Sequence, residues 1–247
     1  MPTASASIPV AGSAEAALGH ALAHVIRLHD ARRANPALGR SLERLARWQA
    51  LRLRQTYADL EAQPRYAAAV DFFEADLYGG ADFARRDADV ARIAPIMVMM
   101  LPARVIGTVA AAMEVNALSQ ELDRALLAHL PRGEAPFTVA EYCSAYRRMD
   151  DRPARERQIR LINEIGTALD RFVRKPLIHG ALVMMRQPAK LAGMSVLHDF
   201  LERGFDAFRT MKGADEFLAT IVGRETALMD AIFGGAVAPF ADPARAA

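Results

Sequence analysis

Cysteine is almost missing from this 247-residue chain: Cys143 stands alone, so neither an internal disulfide nor a thiolate zinc site can form. Aromatics are scarce at 7%, and few runs of β-branched or aromatic residues exist from which strands could be built. Lysine is nearly absent too. Lys175, Lys190 and Lys212 stand against 28 arginines, a usage that, beside abundant alanine, reads as genomic base composition rather than anion recognition. No clean apolar span of about 20 residues occurs; the most apolar window, residues 93–113, is broken by Pro95, Pro102 and Arg104. The opening MPTASASIPVAG has no Lys or Arg ahead of an apolar core, and so reads as neither a secretory signal nor a transit peptide. The expected location is therefore the cytoplasm, with no membrane contact. GxGxxG, P-loop, GxSxG, CxxC and HExxH patterns are all missing, which removes the common signatures of dinucleotide, nucleotide, serine-hydrolase, thiol and zincin chemistry.

What is present is ordinary for a globular protein: 52% apolar and 24% charged residues, with a net charge of +2 that disfavours nucleic acid as a partner. The charge is unevenly spread. Residues 27–54 hold eight Arg against Asp30 and Glu43, whereas residues 55–151 hold nine Arg against fifteen acids. Two such regions can face each other or water within one fold. The sharper alternative is a basic face, Arg40, Arg44, Arg47 and Arg54, that docks an acidic partner or phosphate.

Helical signals recur along the whole chain. Leu18, Leu22, Val25 and Ile26, then His29, fall on helical spacing. Asn35-Pro36 opens a second helix as cap and first residue, with Glu43 and Arg47 as an i,i+4 pair. Pro64 restarts the chain into RYAAAVDFFEADLY, which Gly79 and Gly80 close, and Asp82 or Asp87 caps a short helix that Pro95 ends or kinks. Pro102 opens a long helix with Ile106, Val109, Ala110, Met113, Ala117, Leu118 and Leu122 as its buried stripe. Thr138 with Glu141 is a capping box, and Asp151-Arg152-Pro153 starts the helix that carries Leu161, Ile165, Leu169 and Phe172. Two last helices meet at Lys212-Gly213. The expectation is an all-α fold: a flexible arm over 1–12, one bundle of eight or nine helices over 13–235, and a frayed tail over 236–247. The Ala-rich stretch 103–128 is a candidate surface for a homo-oligomer, because small residues let helices approach closely.

The least generic segment is DFFEADLYGGADFARRDADVARIAPIMVMMLP, residues 71–102. Together with MMRQPAKLAGMSVLHDFLERGFDAFRTMKGADEFLATIVGRE it resembles a family of uncharacterised all-helical bacterial proteins. The shared pattern falls on Phe72, Phe73, Leu77, Tyr78, Gly79, Asp82, Phe83, Arg86, Asp87, Leu101 and Pro102. The resemblance implies a helical fold and no particular chemistry.

Tyr78, Asp82, Arg86 and Asp87 form the leading candidate site. They read as an ion-paired clamp around the glycine corner, since Arg–carboxylate pairs fix geometry as well as adding energy; as a catalytic cluster they lack a nucleophile and a nearby His. His20 and His24 are i,i+4, a metal-compatible spacing with few acids at hand. His198-Asp199, with His179 upstream and Asp206 and Asp230 downstream, faintly resembles the ligand order of HD-type metal phosphohydrolases. His179, in PLIHGALVMM, is the candidate axial ligand for haem, beside a core-histidine reading. Met97, Met99, Met100, Met184 and Met185 either fill the core or line a plastic cavity. The cofactor is left open. The leading expectation is a non-catalytic protein that binds a ligand or partner; the alternative is a metal- or haem-dependent protein.

Overall fold

A computed structural model describes residues 11–74, 83–131 and 137–243 of the chain. Those residues are helical with no strand among them: α1 (Ala11–Ala34), α2 (Pro36–Thr56), α3 (Ala58–Glu61), α4 (Ala67–Phe72), α5 (Phe83–Met100), α6 (Ala103–Leu127), α7 (Val139–Met149), α8 (Arg152–Val173), α9 (Pro176–Leu191), α10 (Ser195–Met211) and α11 (Asp215–Phe233).

Local chemistry sets many of the boundaries. The Asn35 side chain accepts from Leu38 N at the start of α2, and Asp151 accepts from Ala154 N at the start of α8. Thr138 and Glu141 close a reciprocal capping box on α7. Between α10 and α11, Lys212 takes the left-handed conformation and Gly213 has φ of 132°, which only glycine adopts without strain. The Asp170 carboxylate of α8 then accepts from Ala214 N, so a neighbouring helix caps α11.

Helix α6 is the axis of the arrangement, packing against α1, α2, α5, α7 and α8. Of the expected stripe, Ile106, Ala110, Met113, Ala117 and Leu122 are buried, and Val109 and Leu118 are partly exposed. Its small residues admit the close approach of α1, whose Ala14, Leu18, Ala21, Leu22 and Val25 join the same core cluster. The side of 103–128 that carries these residues is thus covered by this chain's own α1. A second cluster gathers Tyr66, Phe72, Phe205, Phe208, Met211 and Phe217 between α4, α10 and α11. A third stacks Trp48 on Tyr142, ring centroids 4.6 Å apart, between α2, α7 and the end of α11.

Other expectations are corrected. Of the two outcomes expected at Pro95, an end or a kink, the first does not occur: α5 runs through it to Met100, and the packing of Ile93, Ala94, Met97 and Val98 into the α1–α6 cluster offsets the missing backbone bond. Asp87 caps nothing and lies inside α5. The helix expected from Arg65 begins at Ala67 as the short α4. Glu43 reaches Arg32 of α1 rather than Arg47. Residues 236–243 are docked, not frayed: Phe240 lies edge-on to Trp48 at 5.9 Å, Pro243 is fully buried, and the Asp242 carbonyl accepts from Gln55.

Candidate functional site

Of the four clamp residues, Tyr78 and Asp82 lie outside the described residues. Arg86 and Asp87 are buried, and Asp87 is 0% exposed. Asp87 Oδ2 shares a 2.9 Å hydrogen bond with His29 Nε2 of α1 and accepts at 2.6 Å from Asn116 Nδ2 of α6. Its Oδ1 accepts from Arg86 Nε at 3.2 Å. Gln120 extends the network to Asn116, and the Arg86 guanidinium stacks over the Phe200 ring of α10 at 4.5 Å. One carboxylate thus ties α1, α5 and α6 together beside α10. Contrary to the expectation of a cluster without a nearby His, His29 reaches it, delivered by α1 from 58 residues away. The position was legible, since His29 continues the buried register of Leu18, Leu22 and Val25, but its partner was not.

The remaining histidines are scattered. His20 is exposed, and His24 is half-buried with Nε2 2.9 Å from Glu121. His179 stacks on Phe205 with centroids 5.6 Å apart, its Nε2 3.3 Å from Arg209. His198 is buried, its Nδ1 3.9 Å from Glu202. Glu202, held below the usual carboxylate range first by the hydrogen bonds of Arg186 and then by its charge, also feels both of these imidazoles. Asp206 pairs with Arg209 and Asp230 with Arg152, so the HD-type order is not assembled. Among the described residues no three His, Cys, Asp or Glu converge as metal ligands. Burial pushes the Cys143 thiol up to about 11, far from a reactive thiolate.

Sequence reasoning missed a polar chamber. Arg52 of α2, Ser119 and Asp123 of α6, Tyr142 and Tyr146 of α7, Arg155 and Gln158 of α8, and Glu225 of α11 line a cavity of about 50 Å³. Arg52 makes a two-pronged salt bridge to Glu225 at 2.6 and 3.1 Å, and Tyr57 donates to the same carboxylate at 2.8 Å. Burial alone would raise the Glu225 pKa, but the Arg52 charge and these hydrogen bonds outweigh it and hold the carboxyl below its ordinary value. Asp123 goes the other way: burial raises it, only partly offset by the Arg155 charge and the Gln49 hydrogen bond. A signal existed. Leu218, Ile221, Glu225, Met229 and Ile232 recur at three- and four-residue steps, so Glu225 occupies a core register, as Arg155 and Gln158 do ahead of Leu161.

Of the five candidate methionines only Met97 packs against the core; Met99, Met100, Met184 and Met185 are exposed. On α5 the inner side is Ile93, Ala94, Met97 and Val98, while Ile96, Met99 and Met100 face out, Met99 at 85% exposure. On α9, Ile178 and Leu182 pack inward, and Val183, Met184, Met185 and Leu191 are exposed, Leu191 at 88%. Both helices pack on α10, and Arg92 of α5 donates to the Ala192 carbonyl just past α9 at 3.1 Å. No acid occurs between Asp89 and Glu114 or between Asp170 and Asp199, and the arginines beside these stripes are paired from outside them, Arg92 with Asp89 and Arg186 with Glu202. The proposed basic face of α2 is less distinct: Arg40, Arg47 and Arg54 are exposed, but Arg44 lies over Phe137 and Arg54 pairs with Glu61 and Glu74. Among the described residues no helix is long and apolar enough to cross a membrane.

No curated protein and no solved structure matches the chain. A family model does, over residues 28–239, a span that takes in the Asp87 cluster, the polar chamber and both apolar stripes. The chain belongs to the family described as Domain of unknown function (DUF8198).

Proposed function

We propose that this protein works by holding a protein partner rather than by transforming a substrate, and that the partner docks on the stripes of α5 and α9. The observation that carries this reading is the pair of exposed, acid-free apolar stripes that approach each other at Arg92. Arg92, Ile96, Met99 and Met100 follow i, i+4, i+7 and i+8 on one side of α5. Met184, Pro188 and Leu191 do the same on α9. A helix that is apolar on all sides is normally buried on all sides, and α9 leaves its outer side to water. Methionine suits such a face because its flexible, polarizable chain conforms to a partner's relief.

The basic rim, Arg104 and Lys190, selects the occupant: an amphipathic helix whose apolar stripe is flanked by Asp or Glu. A second copy of this chain is disfavoured, since like charges would meet. A membrane surface is disfavoured because the exposed residues among those described include no Trp, Tyr or Phe to anchor at the headgroups. The Asp87 cluster belongs to this reading as a brace that keeps α5 aligned on α1 and α6, and Arg86 and Asp87 act there without touching a substrate.

The test is affinity purification of the wild-type chain beside Met99→Glu and Leu191→Glu, both on exposed positions, followed by reconstitution with any co-purifying protein. Support is a stoichiometric partner lost from both variants, whose affinity falls steeply with salt. Unaltered partner binding by the variants, binding to anionic vesicles in its place, or self-association abolished by the same substitutions each overturns it.

A further inference from the structure

The polar chamber contains a binding edge that no neighbouring side chain uses. Arg155 is only 7% exposed. Its Nη1 donates to Gln158 Oε1 at 3.1 Å, and its guanidinium lies 4.7 Å from the Tyr146 ring centroid. Its Nε and Nη2 have no hydrogen-bond partner among the described residues. These two atoms form the side-on fork of a guanidinium, two parallel N–H bonds spaced to meet both oxygens of a carboxylate. A buried charged donor pair left unmet costs far more than an ordinary exposed one, so the site is built for an acceptor that the chain itself does not supply.

The rest of the wall is ordered by its own bonds and leaves Arg155 in place. Gln158 Nε2 donates to Ser119 Oγ at 2.7 Å, Ser119 in turn donates to the Val115 carbonyl at 2.7 Å, and Gln49 Nε2 holds Asp123 Oδ1 at 3.1 Å. The charges facing the chamber are Arg52 and Glu225, which neutralise each other as a pair, and then Arg155 and Asp123. A space of about 50 Å³ exceeds what one water needs, on the order of 10–15 Å³, and admits a few heavy atoms.

We propose that the chamber binds a small planar oxyanion, a carboxylate of one or two carbons or bicarbonate, on the Nε/Nη2 fork of Arg155. Anion entry places a negative charge beside Asp123, so uptake is coupled to a proton on that carboxyl, which in its acid form donates a hydrogen bond to the ligand. The raised pKa of Asp123 prepares this step. Binding of formate or acetate therefore tightens as pH falls towards the raised Asp123 value, and the Asp123→Asn variant binds well throughout, with little pH dependence.

The experiment measures thermal unfolding and carbon-13 relaxation of labelled formate, with sodium formate, acetate and bicarbonate each titrated against sodium chloride at constant ionic strength. Expected are a saturable rise in Tm and line broadening of formate for the wild type. In Arg155→Lys, which keeps the charge and loses the fork, affinity falls by about tenfold or more, the loss of one charged hydrogen bond. A wild-type response no larger than that to chloride overturns the proposal, as the chamber then holds water only. An Arg155→Lys variant that binds formate as tightly as wild type also overturns it. Should Arg155→Lys fail to fold, the pH dependence of formate binding in wild type against Asp123→Asn decides: equal slopes overturn the coupled site.

Discussion

Asp87 is a carboxylate with no water to fall back on. Its oxygens are met by His29, Asn116 and Arg86, so Asp87→Ala removes the shared partner of all three at once. The expected loss is about 3–5 kcal/mol, read as a fall in Tm of roughly 6–20 °C; Asp87→Asn, which keeps one acceptor, should lose less. A melting curve unchanged by Asp87→Ala would end its role as a brace. Glu225 and Asp123 make opposite predictions. The Glu225 pKa is depressed on folding, so its stabilising effect is present above the ordinary 4.5 and drains away as pH falls through the folded value below it. Glu225→Gln should accordingly melt lower than wild type at pH 7 and show a flatter acid limb. The Asp123 pKa is raised, so its effect is fullest below 3.8 and is lost as pH rises through the folded value. Asp123→Asn should be neutral or stabilising at pH 7, and Tm measured from pH 3 to 8 checks both.

At the scale of elements, close approach decides most. A Cβ on Gly204 of α10 would stand 2.8 Å from the ζ carbon of Phe72, and one on Gly166 of α8 would run into Leu218 of α11. Gly204→Ala must therefore push the Phe72 ring out of a packed cluster, at a cost of about 1–3 kcal/mol by thermal or urea unfolding. An unchanged midpoint would mean that α4 yields freely. Helix existence was legible in the sequence wherever caps and periodicity agreed, as at Asn35, Thr138 and Asp151. Pro95 stays helical because packing on the inner side of α5 outweighs one absent backbone bond. The site was less legible for a different reason. Register shows that Arg155, Glu225 and His29 point inward, but a one-dimensional period does not show which helix they meet. Arg52 finds Glu225 across 173 residues, a separation no local pattern encodes. The exposed side of α9 was invisible because an apolar residue looks the same whether its neighbour is core or water.

For the whole molecule, the consequence lies in how the two ends of the chain are sewn together. Arg52 and Tyr57 hold Glu225, Arg224 reaches back to Asp59 and the Thr56 carbonyl, and Phe240 closes over Trp48. During synthesis α2 emerges early, with an inward arginine whose counter-ion is not yet made. Until α11 leaves the ribosome, that segment has no finished interior to join, and its apolar side must wait, shielded or exposed to chaperones. Completion is thus postponed until α11 has been made, and nascent chains halted before α11 should be the ones cells degrade.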